Sequence, residues 1–592
     1  MSGYCRNWNH VLNYSRISTS RGLTMADTQH DYDLVVVGSG AAGMSAAVTA
    51  AWHGLKVVVV EKADGLGGAT AWSGGWMWIP LNPLAKAAGI DEDPETVRTY
   101  LRHELGERYD PARIDAFLDT APRMVAFFHD NTALRFADGN AIADIHGDTP
   151  GAGTGGRSVI AAPFDGHQLD RRTLKKLRKT MPETAFLGMP IQAGPDLMAF
   201  LTVTRSLKSF LHVTKRLTRH LVDLARYGRA MQLVNGVALT GRLAKSADAL
   251  GVQTWVSSPA RRLIQEGERV TGVVVETPDG EITLNARRGV VLAAGGFPWD
   301  VARRRELFPH TPTGEEHWPL PPSSASGDGL RLGEAVGGEV DTSLYSPVAW
   351  APVSRVPYQD GHVGHFPHII DRAKPGIIGV LKSGQRFVNE AGGYYDYVDA
   401  MVKAVPEDEE LCSWLVCSHR FQRRYGLGIT RPAPVPFRHW IKKGYLKAGK
   451  TVEELARHCG IDLEGLKRTV EDYNAHARQG EDPAYGRGST PYNRKNGDPA
   501  HRPNPCVAPL DEGPFYAVKI VPGCFGTFAG LKTNEHAQVL DGEGHPITGL
   551  YAAGTDMASI MGGYYPAGGI NLGPAMTFGH IAGLHAAEEH SA

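Results

Sequence analysis

Short apolar runs next to glycine-rich turns mark both ends of the chain. The runs at 32–37 and 56–60 predict two buried strands, and the small residues between them predict a helix. Two further runs, at 290–297 and 550–556, each contain a glycine turn. Strands separated by helical segments predict an α/β fold with a parallel sheet.

Residues 345–522 have a different pattern and predict a separate domain. A strand is expected at 376–381, followed by helices at 452–459 and 463–478. Proline and glycine dominate 483–514, which predicts a long surface loop that leads back to the first domain.

A basic segment at 174–229 lies between these regions. Its apolar spacing predicts one or two amphipathic helices. We favour a helical lid packed on the protein with its charges solvated. The alternative is a basic helical face that rests on an anionic membrane surface, from which an apolar substrate is taken up. The apolar positions are Leu197, Phe200, Leu201, Leu207, Phe210, Leu211, Leu217, Leu221 and Leu224.

The composition is that of a large soluble α/β protein. Of 592 residues, 42% are hydrophobic and 21% are charged, and the net charge of −1 gives no general attraction to nucleic acid. The 70 glycines, about 12% of the chain against an ordinary share of about 7%, fit a backbone wrapped closely around a cofactor. Six cysteines and scattered histidines lack the spacing of a disulfide framework or a metal site, so no metal is predicted.

The N-terminal residues do not have the pattern of a secretory signal. Residues 1–30 lack the necessary apolar core, and we expect a disordered extension in which Met25 is an alternative start to Met1. The chain has no run of 18 apolar residues that would predict a transmembrane helix. We therefore expect a cytoplasmic protein, with membrane contact through 174–229 as the alternative.

A dinucleotide-binding turn follows the first strand. In the sequence GSGAAG, Gly38 permits a tight turn, Gly40 lets the backbone approach a pyrophosphate, and Gly43 allows close helix packing. Glu61 follows the second strand at the distance expected of a residue that accepts from a ribose hydroxyl. The two strands and Glu61 together predict nucleotide binding.

Later glycine turns favour FAD over a nicotinamide nucleotide. A second glycine-rich loop at 65–75 has no use in a simple nicotinamide domain. The turns near 290–297, 327–329 and 550–556 suit a long cofactor that crosses several strand ends. The predicted FAD-binding residues are Gly38, Gly40, Ala41, Ala42, Gly43, Glu61, Lys62, Gly67, Gly68, Ala69, Thr70, Ser73, Gly74, Gly75, Ala294, Gly295, Asp328, Gly554, Asp556, Asn571 and Leu572.

The stretch 562–579, GGYYPAGGINLGPAMTFG, combines a glycine-rich loop with a helix start. The apolar run that begins near Asn571 has no acidic residue to neutralise its positive end, so it attracts negative charge. A flavin ring placed there would be stabilised in its reduced, anionic form. Chemistry is therefore expected close to Tyr565.

These motifs resemble those of the 3-ketosteroid dehydrogenases, which belong to the flavoprotein superfamily of fumarate reductase and succinate dehydrogenase. The resemblance rests on GSGAAG, GLGGATAWSGGWMWIP, the Gly-Asp-Gly turn, GQRFVNE and the Tyr-Pro pair of the last stretch, and it covers the chain from Tyr32 onward. It implies a Rossmann-like FAD-binding domain with an inserted α+β catalytic (cap) domain. It also implies that FAD is bound non-covalently, since the loop at 68–75 lacks the histidine to which the respiratory enzymes of the superfamily attach their flavin. The expected boundaries are 31–344 and 523–592 for the FAD-binding domain and 345–522 for the cap domain.

The resemblance also implies roles for three residues. The hydroxyl group of Tyr565 and the N–H of Gly569 would hold a substrate ketone, and this oxyanion hole would stabilise the enolate by about 3 kcal/mol per donor. Tyr394, four residues after the Glu of RFVNE, would take the proton, although a phenol of pKa about 10 is a poor base unless its anion is stabilised. Hydride would pass to flavin N5. The implied partners are an apolar ketone substrate and an electron acceptor that the sequence does not identify.

Two departures from the family's pattern leave the position of the new double bond open. A tyrosine-rich stretch of the Δ1 enzymes is replaced by ADIHGD at 143–148, where His146 stands near the missing tyrosine. Ala567 gives Tyr-Pro-Ala-Gly-Gly, which matches neither the Δ1 pattern nor the Tyr-Pro-Ser-Gly-Gly of the Δ4-(5α)-dehydrogenases. A Δ4-(5α)-dehydrogenase is therefore an alternative.

Two further alternatives differ in function. A fumarate-reductase-like reductase of an unsaturated carboxylate needs an arginine where this chain has Tyr394 and a histidine near Phe528. A flavin-bound binding protein without catalytic activity would be expected to have lost Tyr394 or Tyr565. Both tyrosines are present, so a dehydrogenase is favoured.

Overall fold

The apolar runs of the sequence form the strands of a central sheet. The computed structural model describes residues 29–192 and 194–588. The strands are β1 (Gln29–Val37), β2 (Val57–Val60), β3 (Trp76–Trp78), β4 (Phe136–Asp138), β5 (Ser158–Ala161), β6 (Phe164–Asp165), β7 (Gln232–Leu233), β8 (Gln253–Trp255), β9 (Ala260–Glu266), β10 (Arg269–Thr277), β11 (Gly280–Leu292), β12 (Val340–Asp341), β13 (Val348–Pro357), β14 (Val363–Pro367), β15 (Ile377–Val380), β16 (Ser413–Cys417), β17 (Lys447–Gly449), β18 (Phe515–Thr527), β19 (Gly530–Leu531), β20 (Gln538–Leu540) and β21 (Pro546–Ala552).

Helices cover the sheets and form much of the connecting chain. The α-helices are α1 (Ala41–Trp52), α2 (Pro83–Ala87), α3 (Pro94–Leu105), α4 (Pro111–Asn131), α5 (Arg171–Lys176), α6 (Pro195–Leu201), α7 (Leu207–Tyr227), α8 (Asn235–Ala249), α9 (Val301–Leu307), α10 (Asp328–Glu334), α11 (Tyr394–Ala404), α12 (His419–Arg424), α13 (Arg438–Lys442), α14 (Val452–Cys459), α15 (Leu463–Ala477), α16 (Pro491–Asn496) and α17 (Leu572–Glu588). Within the described ranges, no helix is both long and apolar enough to cross a membrane.

The central sheet has the order β20-β21-β10-β11-β1-β2-β8, with β9 paired to β10. Its middle is parallel, since β1 pairs in parallel with both β11 and β2, and β11 pairs in parallel with β21. The four valines of β2 are buried, as expected of a strand covered on both faces. Helices α1 and α17 pack together, and the Ser45 hydroxyl donates to the Met576 carbonyl at 2.6 Å.

A second sheet has the order β14-β13-β18-β16-β15, with β17 paired to β18, and all its pairings are antiparallel. It lies in the region predicted as the cap domain, but β18 continues to Thr527, past the predicted boundary at 522. The predicted helices at 452–459 and 463–478 correspond to α14 and α15, and the predicted strand at 376–381 corresponds to β15.

Two predictions about the chain's course need correction. Residues 483–514 are not a surface loop, because Arg487 and Cys506 are buried there and Arg487 donates to the carbonyls of Ile377, Arg372 and Lys374. Residues 1–28 of the extension predicted at 1–30 lie outside the described residues. Gln29 and His30 already belong to β1.

The basic segment forms α5, α6 and α7, and α7 packs with its polar face inward. Its buried residues are Val213, Arg216, His220 and Asp223, and Arg216 forms an ion pair with Asp196 at 2.8 Å. The favoured expectation of a lid with solvated charges is therefore wrong for this face. The exposed large apolar residues of α7 are Leu207, Phe210, Leu211, Leu221, Val222, Leu224 and Tyr227.

A buried ion network holds the RFVNE motif to β15. Glu390 is fully buried, accepts two hydrogen bonds from Arg386 at 2.7 and 2.8 Å, and accepts a third from the Gly379 N–H at 2.9 Å. Burial alone would raise the pKa of Glu390, but attraction to Arg386 and Arg487 outweighs it and lowers the pKa. The motif that precedes α11 is thus fixed by charge.

We predict that Glu390→Gln lowers the free energy of unfolding by about 3–5 kcal/mol, because buried arginines lose their counter-charge. The control, Glu276→Gln, removes an exposed partner of Arg261 and should cost less than about 1 kcal/mol. Since the folded-state pKa of Glu390 is depressed, its contribution is present above the ordinary value of 4.5 and is lost as the pH falls. Urea unfolding followed by tryptophan fluorescence measures both variants, and equal midpoints would contradict the prediction.

Candidate active site

Four turns of the chain lie where the parallel strands of the central sheet end. The turns that follow β1, β2, β11 and β21 begin at Gly38, Glu61, Ala293 and Ala553, so most of the predicted cofactor residues lie along one edge of the sheet. Ligands of open parallel sheets bind outside the carboxyl ends of the strands. The predicted FAD residues are therefore brought together by the topology.

The start of α1 suits a pyrophosphate. Gly40 precedes the helix without a side-chain cap, and the first turn carries no acidic residue. The Ala41 N–H donates to the Thr70 hydroxyl at 2.9 Å, whereas the N–H groups of Ala42 and Gly43 have no acceptor within the described chain. Unpaired amides at a helix start attract phosphate oxygens.

Glu61 is held at the end of β2 by a residue that the predicted FAD set omits. The Ser39 hydroxyl donates to the Glu61 carboxylate at 2.6 Å and accepts from the Gly67 N–H at 2.9 Å. The Ser39 N–H also donates to Glu61 at 3.1 Å. Ser39 thus links the first glycine turn to the loop at 65–75. Its polar side chain between two glycines was the sequence signal that could have predicted this role.

Two carboxylates join the other turns. Asp556 is fully buried and accepts from the N–H groups of Ala294 at 2.5 Å and Gly296 at 2.8 Å. Burial raises the pKa of Asp556 to about 6, although both N–H groups stabilise its charged form. Asp328 forms an ion pair with Lys62 at 2.7 Å. Hydrogen bonds therefore join the turns after β11 and β21, and an ion pair joins Lys62, after β2, to Asp328.

The remaining predicted loop lies against α8. The Ser73 hydroxyl donates to the Thr70 carbonyl at 2.7 Å and accepts from the Gly75 N–H at 3.1 Å. The Ser73 carbonyl in turn accepts from the N–H of Gly236 in α8 at 3.2 Å. These contacts fix the part of the loop that Gly67, Gly68, Ala69 and Gly74 also belong to.

The start of α17 presents unpaired amides to a small cavity. The first turn of the helix contains no acidic residue, and the N–H groups of Asn571 and Leu572 have no acceptor in the part of the chain that is described. The cavity is lined by Thr527, Phe528, Gly554, Thr555, Asn571 and Pro574, among others. The donors therefore fit the electron-rich edge of a flavin ring.

Tyr394 and Tyr565 meet beside this helix start. Tyr394 is the first residue of α11, Tyr565 lies in the loop before α17, and their buried rings are 5.0 Å apart at 75°. The Asn571 side-chain amide donates weakly to the Tyr565 hydroxyl at 3.5 Å. Tyr564 points elsewhere and stacks on Tyr345 at 4.4 Å. Of the two neighbouring tyrosines, Tyr565 is therefore the one that contacts Tyr394.

Gly569 has a backbone conformation that a side chain would disturb. Its φ is +105°, and a Cβ atom there would lie 2.7 Å from the Trp78 nitrogen. The Trp78 N–H donates to the Gly569 carbonyl at 3.1 Å. The Gly569 N–H has no acceptor among the residues described, so it is available to a ligand.

The surroundings of the tyrosines disfavour charge. Burial raises the pKa of Tyr394 well above its ordinary value and the neighbouring Tyr565 raises it further, while Arg372 acts in the opposite direction. Burial also raises the pKa of Tyr565, and the Tyr394 hydroxyl opposes this. Arg372 is engaged elsewhere, since it donates to the carbonyls of His368 and Glu390 at 2.8 Å.

Aromatic and aliphatic side chains surround Tyr394 and Tyr565. Phe525 lies 5.1 Å from Tyr394, and Phe528 and Tyr395 lie 6.0 and 5.9 Å from Tyr565. Phe525 also packs against a separate apolar cluster. The other members of this cluster are Trp72, Met181, Trp318, Leu320, Ala351, Val353, Cys412 and Val521.

Comparison with known proteins agrees with this geometry. Residues 33–572 match a family model for the FAD binding domain. A 4-oxocyclohex-2-ene-1-carboxylate 5-dehydrogenase from Sinomonas cyclohexanicum is 40% identical over 560 residues, 95% of this chain and 94% of the relative. A 3-oxosteroid 1-dehydrogenase from Mycobacterium tuberculosis is 36% identical over 579 residues, 95% of this chain and 99% of the relative. The chain belongs to the 3-ketosteroid dehydrogenase family of FAD-binding flavoproteins.

A solved structure of this dehydrogenase family shares the whole fold. The 3-ketosteroid Δ1-dehydrogenase from Sterolibacterium denitrificans, in complex with 1,4-androstadiene-3,17-dione, has a TM-score of 0.87 and 34% identity and covers 94% of this chain and 100% of its own. The resemblance, the fold class and FAD as the cofactor are confirmed. The protein is an FAD-dependent oxidoreductase that acts on CH–CH bonds. The roles of individual residues and the domain boundaries stay predictions.

The described residues contain no group of three His, Cys, Asp or Glu side chains placed to hold a metal ion.

Several residues near the tyrosines were missed by sequence reasoning. Phe525 contacts the site from a distant part of the chain, and Arg372 acts on it through its charge. No local motif marks these two residues, because their place is set by how the sheets and loops meet. Trp78 lies in the motif GLGGATAWSGGWMWIP, but its contact with Gly569 was not predicted.

Proposed function

We propose that this dehydrogenase introduces a C=C bond next to the ketone of a 3-ketosteroid-like substrate, in the manner of a 3-oxosteroid 1-dehydrogenase. The observation that carries the proposal is the meeting of Tyr394 and Tyr565 beside the free N–H of Gly569. FAD, when bound, supplies the hydride acceptor at flavin N5. Every other step falls to residues of the chain.

The ketone oxygen would be held by two donors. The Tyr565 hydroxyl and the Gly569 N–H lie on one loop, four residues apart, and the amide has no competing acceptor in the described chain. Charge that develops on the ketone oxygen is stabilised by about 3 kcal/mol per donor in a site that excludes water. The carbon beside the ketone becomes acidic as a result.

Tyr394 would take the proton from that carbon. Its hydroxyl lies close to the loop, since a Cβ atom at Gly568 would be 3.8 Å from the Tyr394 oxygen. Burial works against the phenolate, and the charge of Arg372 partly compensates. Because the effect of burial is the larger, Tyr394 is protonated at neutral pH, and only the fraction of enzyme in which the phenol has lost its proton can act as the base.

The apolar walls favour a neutral ring ketone over a carboxylate. Arg372, the arginine that acts electrostatically on Tyr394, donates to backbone carbonyls. Arg372 is thus already engaged and is not free to hold the carboxylates of a fumarate-type substrate. This supports the dehydrogenase proposal over the reductase alternative.

A second substrate class follows from the 40% identical relative. That protein is named for a six-membered ring that carries a ketone and a single carboxylate. Both relatives are named as dehydrogenases of ring ketones, so the donors at Tyr565 and Gly569 serve either class. A Δ4-(5α) reaction on a steroid stays the alternative for the position of the double bond.

A substrate panel tests the function. We expect anaerobic addition of 4-androstene-3,17-dione to bleach the flavin absorbance near 450 nm and to yield a product with one additional C=C bond. Bleaching by a 5α-3-ketosteroid with a Δ4 product would support the Δ4 alternative, and bleaching by 4-oxocyclohex-2-ene-1-carboxylate alone would support the second class. Reoxidation of dithionite-reduced enzyme by fumarate, without response to any ketone, would contradict the proposal.

Replacing Tyr565 by Phe removes one ketone donor, and we expect kcat to fall by about 100- to 1000-fold. FAD content should stay unchanged, because the amides that face the flavin are retained. The matched control is Tyr564→Phe, which changes a neighbouring phenol stacked on Tyr345 and should keep kcat within about twofold. Equal turnover in the two variants would refute the role of Tyr565.

Replacing Tyr394 by Phe tests the base. The pKa of Tyr394 is raised, so the phenol is protonated at neutral pH and its anionic fraction grows about tenfold for each unit of pH. Stopped-flow flavin reduction should therefore accelerate with pH from 7 to 9 in the wild type. In Tyr394→Phe it should be slow and independent of pH over this range. A pH profile unchanged by the substitution would exclude Tyr394 as the base.

We also propose that α7 rests on an anionic membrane surface. Its polar face is buried, while Leu207, Phe210 and Leu211 are 73%, 52% and 60% exposed. Lys208, Lys215 and Arg219 lie on the same helix and would meet anionic headgroups. An apolar ketone dissolved in the bilayer would then be close to the enzyme.

Vesicle sedimentation checks this contact. The wild type should bind vesicles of phosphatidylcholine with one third phosphatidylserine, and less well vesicles of phosphatidylcholine alone. Phe210→Asp combined with Leu211→Asp should abolish binding without loss of FAD. Val301→Asp, at another exposed apolar residue that is 43% exposed, should bind as the wild type does. Failure of the wild type to bind anionic vesicles would contradict the proposal.

A further inference from the structure

Three consecutive residues, Asp144, Ile145 and His146, contact residues that border the proposed site. The Asp144 carboxylate accepts from the indole N–H of Trp78 at 2.9 Å. The backbone N–H of Trp78 donates to the Gly569 carbonyl at 3.1 Å. Asp144 thus supports, through Trp78, the residue whose N–H is the proposed second ketone donor.

Ile145 supports the loop of Tyr565. Its N–H donates to the Pro566 carbonyl at 3.0 Å, and the Tyr100 hydroxyl donates to the same oxygen at 2.7 Å. The residue that follows Tyr565 is therefore fixed from two sides. Tyr100 belongs to α3.

His146 lies between two carboxylates. Its Nδ1 is 2.5 Å from Glu104 and its Nε2 is 2.9 Å from Asp396. Two carboxylate partners require both ring nitrogens to donate, which only the imidazolium can do. Burial lowers the pKa of His146, but the two carboxylates outweigh it and raise the pKa to about 10. The ring is charged at neutral pH.

Asp396 connects this charge to Tyr394. It is the third residue of α11, whose first residue is Tyr394, and its carboxylate lies over the start of the helix. A Cβ atom at Gly393, the residue before the helix, would be 2.3 Å from the Asp396 oxygen and 2.9 Å from Ile145. The first turn of α11 is therefore packed directly against residues 145 and 146.

Helix α3 completes the connection. Tyr100 and Glu104 are one turn apart on this helix; Tyr100 contacts the loop of Tyr565, and Glu104 contacts His146. Glu104 is further fixed by the Thr149 hydroxyl at 2.7 Å. One rigid helix thus reaches both tyrosine-bearing elements, and His146 is the link to the second.

We propose that His146, held between Glu104 and Asp396, is a positioning residue that sets Tyr394 against the loop of Tyr565. This inference rests on the proposed function of the two tyrosines. A displacement of about 1 Å in a reacting group can cost about 100-fold in rate. Loss of the link should therefore affect the chemical step more than substrate binding.

The first test replaces His146 by Gln. We expect kcat to fall by about 10- to 100-fold, with KM within about threefold and FAD content unchanged. Hydrogen exchange should become faster in the peptide that contains the first turn of α11. His146→Arg, which keeps a cation between the carboxylates, should restore kcat to within about threefold of the wild type. The matched control is His167→Gln, which removes an exposed histidine 2.6 Å from Asp165 and should leave kcat and exchange unchanged.

A double-variant cycle tests the route of the effect. If His146 acts through Asp396, adding Asp396→Asn to His146→Gln should lower kcat by less than about twofold further. Fully multiplying losses would overturn the inference, as would a kcat for His146→Gln within twofold of the wild type or unchanged exchange at α11. If His146→Gln does not accumulate as a folded protein, the other variants of this series can still be measured.

Measuring Tyr394→Phe in the same series distinguishes a failure of the proposed function from a failure of the positioning role of His146. If it slows flavin reduction while His146→Gln does not, this inference fails and the proposed function stands. If Tyr394→Phe has the wild-type rate, the proposed function fails and the inference fails with it. The exchange measurement needs no substrate and reports the link directly.

Discussion

The unpaired amides at the start of α17 are the constraint on which the site depends. Within the described residues, the first turn of this helix has no acidic residue and the N–H groups of Asn571 and Leu572 have no acceptor, which leaves these donors to a ligand or to water. The electron-rich edge of FAD is the partner that we propose for them. The Gly569 N–H, the proposed ketone donor, belongs to the same stretch of backbone, so one loop would serve both the cofactor and the ketone.

Residues from other parts of the chain hold this loop in position. Trp78 holds the Gly569 carbonyl, and Tyr100 and Ile145 hold the Pro566 carbonyl. On its other side α17 packs along α1, at whose start the N–H groups of Ala42 and Gly43 have no acceptor within the described chain. Two helix starts that belong to opposite ends of the chain are thereby fixed relative to one another. Both belong to the region in which we propose that FAD lies.

Burial has opposite effects on the two steps of the proposed reaction. Excluding water strengthens the donors that stabilise charge on the ketone oxygen, while it raises the pKa of Tyr394 and so disfavours the base. The fixed positions of both groups offset part of this cost, because no reorganisation is needed when the proton moves. Precise placement of the first turn of α11 then matters as much as the chemistry of its tyrosine.

The sequence by itself determined the nucleotide turn, Glu61 and the parallel strands, because these depend on local periodicity and on the spacing of a single βαβ unit. The later glycine turns favoured FAD, and the resemblance identified the family and the three residues proposed for chemistry. The tertiary structure decided what local pattern cannot encode. It placed Ser39 on Glu61, buried Asp556 between two turns and buried Arg487 in a segment whose prolines and glycines predicted a surface loop. It also turned the apolar face of α7 outward and set His146 between Glu104 and Asp396. The physical reason is that burial and ion pairing are properties of neighbours distant in sequence, which only the packed chain brings together.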